Sequence, residues 1–133
     1  MSPLLDTLQR SHLNAGVERF NEGQFWHAHE DWEELWKSLK SNSIEDEYVD
    51  ALQGLIQTAA LLFQYQRCNL RGVENMWGKC TAKLGVPAAP FFSSLWDMDI
   101  ARLLNEVLEY VEAAKIEDWS LITTRIKIHP TGE

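Results

Sequence analysis

Residues 20–36, FNEGQFWHAHEDWEELW, place histidines and several carboxylates beside three tryptophans. Imidazole and carboxylate groups transfer protons and bind divalent metals. Tryptophan side chains form the apolar walls of ligand pockets. The segment is therefore where we expect any chemistry or ligand binding to take place, although its residue types alone do not name a reaction.

This segment belongs to a helix that the sequence predicts over residues 24–39. At 100° per residue, one face is apolar and must point to the core. His29 and Glu33 lie one turn apart at the edge of that face, and Trp26 lies off the face, beside the same edge. The predicted core-face residues are Phe25, Ala28, Trp32, Leu35 and Trp36. The side chains predicted to point away are His27, Glu30, Asp31 and Glu34.

The next predicted helix, which ends near Cys68, is apolar nearly all round, as is typical of a central, buried helix. One narrow polar stripe interrupts it. Because an unpaired buried amide costs about 1–3 kcal/mol, glutamines on this stripe need partners. Folding the two helices antiparallel about residue 41 brings His29 level with Gln53, and Glu33 level with Asp50 or Val49. The stripe consists of Asp50, Gln53, Gln57 and Gln64.

Three interpretations of this polar cluster remain open. The first is a buried hydrogen-bond network that only stabilises the fold, which is the commonest role of such groups. The second is a divalent-metal site with His29, Glu33 and Asp50 as ligands and Glu30 as general base. The third is a pocket for a small ligand, with Trp26 as a wall. The polar anchors of that pocket would be His29, Glu33, Gln53, Gln57 and Gln64.

The pattern departs from the metalloprotease motif HExxH, because a glutamate stands at residue 33 where the second histidine would be. No serine lies in a G-x-S-x-G motif, and no glycine-rich phosphate loop is present. The sequence therefore indicates no covalent catalysis, and it leaves open whether the protein is an enzyme at all.

Composition limits the class of partner. The chain has 133 residues, 12 basic and 20 acidic, with a net charge of −8. An excess of acidic residues argues against a nucleic-acid surface. Two cysteines without CxxC spacing, and no apolar run of membrane-spanning length, predict a cytoplasmic protein without a membrane partner. A homodimer is compatible with this composition, and the remaining partners we expect are a small molecule or another protein.

The fold class that we predict is all-α: a single domain, residues 1–133, with about five helices and a central third helix. The first helix is predicted over residues 4–22, and the third is predicted to begin with a capping box between Ser43 and Asp46. Asn69 is predicted to cap the fourth helix and Asp97 the fifth. Residues 85–90 are predicted to form a loop, and residues 121–130 an extended segment that packs on the bundle or on a partner.

Two motifs in this chain are similar to those of the helical proteins known as domain of unknown function 309. The first motif resembles F-N-x-G-x-[FYW]-x-x-H-E-x-x-E-x-x-W. Phe20-Asn21-Glu22-Gly23 matches its start, and His29-Glu30, Glu33 and Trp36 match its end, with one additional residue between the two parts. The second resembles G-L-I-Q-x-A-A, which residues 54–60 match, and Asn69 and Gly72 match the turn that follows it. The resemblance covers roughly residues 17–112.

The resemblance implies an all-helical fold in which the two motifs form one site. It also implies a metal-dependent hydrolase, since the family has been given that label. The family pattern has a histidine near the position of Gln64 and a glycine at the position of Cys68, and a glutamine is a poor ligand for a transition metal. The leading prediction is therefore a module that binds a small ligand or a protein, and the alternative is a hydrolase with a divalent metal.

Overall fold

The structure, a computed structural model, describes residues 2–42 and 45–132, which form a bundle of five helices and two short β-hairpins. The predicted helical bundle is confirmed, but the hairpins make the all-α class too coarse. The helices are α1 (Thr7–Asn21), α2 (Phe25–Ser41), α3 (Asp46–Gln66), α4 (Leu70–Leu84) and α5 (Ile100–Lys115). The antiparallel strand pairs are β1 (Gly85–Val86) with β2 (Ala89–Pro90), and β3 (Ser94–Leu95) with β4 (Met98–Asp99).

The helix starts follow local capping chemistry. Asp6 accepts a hydrogen bond from the Gln9 backbone amide, and the Gln9 side chain returns one to Asp6, so α1 begins at residue 7 rather than at residue 4. Asn69 caps α4, as predicted. Asp97 does not cap α5: Asp99 does, by accepting from the Arg102 amide. The capping box predicted at Ser43 falls outside the described residues.

Helix α3 lies at the centre of the bundle and packs against α2, α4 and α5. Its buried residues include Leu52, Leu55 and Leu62, each without exposed surface. Gly54 lets α4 approach closely, since a β-carbon at this position would lie 2.6 Å from Cγ of Leu84. The prediction of a central third helix is thus confirmed by its contacts.

A close contact between α1 and α2 fixes the position of α2. The indole of Trp32 is completely buried and lies directly over Gly16 of α1. Its Nε1 donates to the Leu13 carbonyl at 3.2 Å, which satisfies the only polar atom of the side chain. Helix α2 therefore has a defined rotation, with the opposite edge of its core face turned toward α3.

The C-terminal segment packs back on the bundle, as predicted. Ile126 and Ile128 are buried, and a single β-bridge joins Pro130 to Met98. The hydroxyl of Tyr65 donates to the Asp118 carbonyl at 2.8 Å, which holds the start of this segment against α3. Apart from the bridge, the segment consists of turns and irregular backbone. No helix in the described segments is long and apolar enough to cross a lipid bilayer.

The two cysteines are expected to differ sharply in reactivity. Cys68 is exposed, whereas Cys80 is buried, and burial raises the pKa of the Cys80 thiol from 9.0 to about 12. Only about 1 in 100,000 Cys80 thiols is ionised at pH 7, and the thiolate is the nucleophile. We expect iodoacetamide to alkylate Cys68 in the folded protein and Cys80 only after unfolding, as measured by peptide mass spectrometry.

The same shift has a consequence for stability at high pH. The unfolded thiol ionises near pH 9, while the folded thiol stays protonated up to about pH 12. The contribution of the buried, neutral Cys80 thiol to the free energy of unfolding is therefore fully present below pH 9 and is lost as the pH rises toward 12. Equal alkylation of both cysteines in the folded protein at pH 7 would contradict the burial of Cys80.

Candidate functional site

Three aromatic rings meet where the first turn of α2 lies beside the last turns of α3. The imidazole of His29 stacks on the indole of Trp26, with ring centroids 5.1 Å apart and planes inclined by 13°. The same indole also contacts Phe63, with ring centroids 5.2 Å apart and planes inclined by 45°. The guanidinium of Arg67 lies 5.5 Å from the Phe63 ring. We call Trp26, His29 and Phe63 the aromatic stack.

His29 forms an ion pair or hydrogen bond with Glu33, one turn further along α2. The distance from Nε2 to Oε1 is 3.1 Å, and the two side chains are 19% and 42% exposed. The second ring nitrogen, Nδ1, is buried and finds no hydrogen-bond partner among the described residues. When Nε2 of a neutral imidazole donates to the carboxylate, Nδ1 is left as an acceptor without a donor. Of the two ring nitrogens of His29, only Nε2 is therefore held by a polar contact, the one with Glu33.

Trp26 is unusual because it is 49% exposed although it contacts two other rings. The backbone beneath it is anchored from α3, since Nε2 of Gln66 donates to the Gly23 carbonyl at 3.1 Å and to the Thr123 hydroxyl at 3.0 Å. Gly23 has a φ of +77°, the left-handed conformation that a helix-ending glycine adopts readily. These bonds hold the start of α2, and thus the exposed indole, in one place.

The predicted glutamine stripe is divided between two surroundings. Gln64 accepts a hydrogen bond from the Asn69 side chain at 2.9 Å and packs against Gly72, so it belongs to the junction of α3 and α4. Gln57 is half-buried, and its Oε1 has no partner within residues 2–42 and 45–132. Gln53 is also half-buried. Gln64 therefore has a local structural role beside any role in binding.

The three residues predicted as metal ligands do not come together. Oδ1 of Asp50 lies 3.3 Å from Nζ of Lys83 on α4, whereas His29 and Glu33 pair with each other. In the parts of the chain that the structure describes, no three histidine, cysteine or carboxylate side chains are placed to hold a metal ion. Glu30, the predicted general base, is exposed and lies 3.4 Å from His27. These donors do not fit a divalent metal, and we derive no reaction step through one.

The three predicted ligands are separated because the antiparallel helices α2 and α3 pair in a different register from the one that was predicted. The contact between Trp26 and Phe63 places its midpoint between residues 44 and 45, not at residue 41. His29 then comes level with Ala60, about two helical turns from Gln53. Sequence reasoning missed Phe63 for the same reason. The signal was present, since a short connection between two long helices must bring the start of the first beside the end of the second.

The aromatic stack reaches the surface through Trp26, which is 49% exposed. Three cavities of about 360, 390 and 380 Å³ are lined by described residues, and all lie away from the stack. The first two adjoin α1 and the β3–β4 hairpin, and the third lies between α3, α4 and Phe92. A ligand at the aromatic stack would therefore rest on a surface formed by α2 and α3.

Comparison with known proteins supports the resemblance found in the sequence. Residues 13–76 match the family described as Domain of unknown function (DUF309), and the match extends from α1 into α4. The matched segment includes the aromatic stack, Glu33 and the polar stripe of Asp50, Gln53, Gln57 and Gln64. Comparison with curated proteins and with solved structures found no match. The match over residues 13–76, the segment that carries the aromatic stack, supports assignment of this segment to the DUF309 family.

Proposed function

We propose that this protein is a binding module that recognises a cationic segment of a protein partner. The binding surface is formed by Trp26, His29, Glu33 and Phe63. The observation that carries the proposal is the exposure of Trp26, a residue that is 49% accessible while its ring contacts those of His29 and Phe63.

An exposed but immobilised tryptophan is well suited to be the anchor of an interface. Most of the energy of protein–protein binding comes from a few residues, among which tryptophan is enriched. Ordering a mobile side chain on binding costs about 0.5–1.5 kcal/mol. Contacts with His29 and Phe63 already restrict Trp26, so much of that cost is absent at this position.

The charge around the stack supports a cationic partner. Glu30 and Glu34 are each 58% exposed, and Glu33 is 42% exposed, so α2 presents three carboxylates to solvent, two of which lie beside His27 and Lys37. The whole chain carries a net charge of −8. A lysine or arginine placed over the indole would gain a cation–π interaction of about 0.5–2 kcal/mol, with Glu33 within reach of the same charge.

The shape of the surface favours a protein segment over a small molecule. Small ligands bind in concave sites that bury most of their surface. The cavities of that size described above lie away from the stack. The metal-dependent hydrolase is not proposed as a second function, because within residues 2–42 and 45–132 no third ligand joins His29 and Glu33.

The test uses a lysine-rich peptide with a central leucine, and the same peptide with glutamate in place of lysine, titrated by fluorescence anisotropy. We expect the protein to bind only the lysine peptide. Trp26→Ala is expected to weaken binding about tenfold, which corresponds to 1.4 kcal/mol. Glu33→Gln is expected to weaken binding and to reduce its dependence on salt concentration.

Phe91→Ala is the matched control, since Phe91 is an aromatic residue that is 65% exposed on a different part of the surface. Its affinity for the lysine peptide is expected to equal that of the wild type. The proposal fails if the peptide does not bind, if Trp26→Ala binds as well as the wild type, or if Phe91→Ala loses as much affinity as Trp26→Ala. Circular dichroism of each variant establishes that the helices are retained.

A further inference from the structure

Two neighbouring cavities lie between α1, the β3–β4 hairpin and the terminal segments of the chain. The first has a volume of about 360 Å³ and the second about 390 Å³. Both are lined by Arg10, Trp96 and Asp97, so these three residues stand at the boundary between them. Each volume lies in the range of about 300–1,000 Å³ that small-molecule sites occupy.

The first cavity is lined by one continuous stripe of α1. Arg10, Asn14 and Glu18 follow one another at four-residue spacing, which places them in a row along the helix. Leu13 and Val17 lie between them and also line the cavity. The stripe therefore offers a cation at one end, a carboxylate at the other and an apolar strip between them. The facing wall is apolar at Trp96, Met98 and Ile128.

The charged groups of this cavity are not paired with each other. In the described segments no carboxylate oxygen lies within 4 Å of the Arg10 guanidinium, although the chain has 20 carboxylate residues. The same part of the chain provides no ion pair for Glu18 or for Asp97. One cation and two carboxylates thus line a common space without neutralising one another.

The backbone at the cavity boundary is held in a conformation that its residues do not favour. Trp96 and Asp97 form the two-residue turn of the β3–β4 hairpin, with φ values of +45° and +64°. Asn-Gly and Asp-Gly are the sequences that suit such a turn. The terminal segments keep it in place: the Trp96 amide donates to the Ser2 hydroxyl and its Nε1 to the Pro3 carbonyl, both at 2.8 Å. Backbone conformations of this kind are concentrated at ligand-binding and active sites.

We propose that the first cavity binds a small zwitterion with an apolar body, of the class of apolar amino acids and short apolar peptides. The carboxylate of the ligand pairs with Arg10, whose guanidinium can donate two parallel hydrogen bonds. The ammonium group pairs with Glu18 and Asp97, and the apolar body lies against Val17 and Met98.

Charge selects this class over its relatives. A simple anion would be attracted by Arg10 but repelled by Glu18 and Asp97, and a simple cation would meet the reverse arrangement. A molecule that carries both charges satisfies all three side chains, and a ligand with mismatched charges leaves at least one of them opposed by a like charge.

The test uses L-leucine and leucyl-leucine, which differ in the spacing of their two charges, together with the C-terminal amide and the N-acetyl form of each. Binding is followed by two-dimensional NMR of the 15N-labelled full chain. We expect saturable shifts at the Trp96 and Asp97 amides with at least one zwitterion. Both modified forms of that ligand are expected to bind at least about tenfold more weakly, because each has lost one of the two charges.

Arg10→Gln is expected to remove the preference for the zwitterion over its amide. Arg71→Gln, a substitution at an exposed arginine of α4, leaves that preference unchanged. The proposal is overturned if neither zwitterion gives saturable shifts, if the modified forms bind equally well, or if Arg10→Gln behaves as the wild type. Trp26→Ala keeps the zwitterion affinity of the wild type, so this result is independent of the peptide test at the aromatic stack. A loss of zwitterion affinity in Trp26→Ala would move the ligand to the other surface and overturn the proposal.

Discussion

Gly16→Ala is expected to lower the free energy of unfolding by about 3 kcal/mol, because its β-carbon has no room. The added atom would lie 2.0 Å from Nε1 and 2.3 Å from Cδ1 of Trp32. The indole is rigid and fully buried, so it cannot turn away without moving its neighbours. Displacement would also break the bond from Nε1 to the Leu13 carbonyl and leave a buried donor unpaired.

Gly78→Ala is the matched control for Gly16→Ala. Gly78 also lies inside a helix, but a β-carbon there meets no atom within 4 Å. Because alanine is a better helix former than glycine, this variant is expected to gain about 0.5–1 kcal/mol. Urea unfolding followed by circular dichroism measures both. If the two variants changed stability in the same direction, the close contact between Gly16 and Trp32 would be wrong.

The second large effect is expected at the end of α4, where Gly85→Ala should destabilise the protein by about 3 kcal/mol. Gly85 has a φ of +86° and a ψ of 177°, a combination that is essentially restricted to glycine. Its β-carbon would lie 2.7 Å from the Ala89 carbonyl oxygen and 2.8 Å from the Phe91 nitrogen. These are backbone atoms of the β1–β2 hairpin, so the clash cannot be relieved by a change of rotamer.

Gly132→Ala separates backbone strain from steric overlap. Gly132 has the same φ of +86°, and a β-carbon there meets nothing within 4 Å. Only the conformational cost of about 1 kcal/mol is expected for this variant. Thermal unfolding of both variants under the same conditions makes the comparison. Equal losses would show that the contacts around Gly85 contribute nothing.

Much of the helical fold could be predicted because it depends on local patterns. The core face of α2 was predicted from periodicity, and Phe25, Ala28, Trp32 and Leu35 are all buried. Asn69 was identifiable as a cap because its side chain bonds to the amide three residues along, a contact that sequence spacing alone determines.

The two hairpins could not be predicted, because tertiary contacts determine them. Trp96 and Asp97 lack the usual turn chemistry, and their conformation depends on bonds to Ser2 and Pro3, more than 90 residues away in the chain. The cap predicted at Asp97 is therefore found two residues later, at Asp99, and the helix begins at Ile100.

The candidate site was predictable only within a single helix. His29 and Glu33 are one turn apart on α2, so their pairing follows from spacing and is found in the structure. Which residues of α3 face them depends on the register of the hairpin, which spacing within one helix does not contain. Asp50 consequently pairs with Lys83 of α4, and Phe63 takes the position beside Trp26.

The attachment of the terminal segments divides the molecule into parts that open with different ease. Helix α2 packs extensively against both α1 and α3, and α3 packs in the same way against α4. Residues 2–3 and 129–131, in contrast, reach the β3–β4 hairpin through isolated hydrogen bonds, such as that from the Thr131 amide to the Asp97 carbonyl. We call this contact between the terminal segments and the β3–β4 hairpin the terminal seam. We expect this seam to open at a lower free energy than the helical core, in a partial unfolding that leaves the amides of α3 protected from hydrogen exchange. Because residues 129 and 130 line the Arg10 cavity, we expect the opening of this seam to widen that cavity.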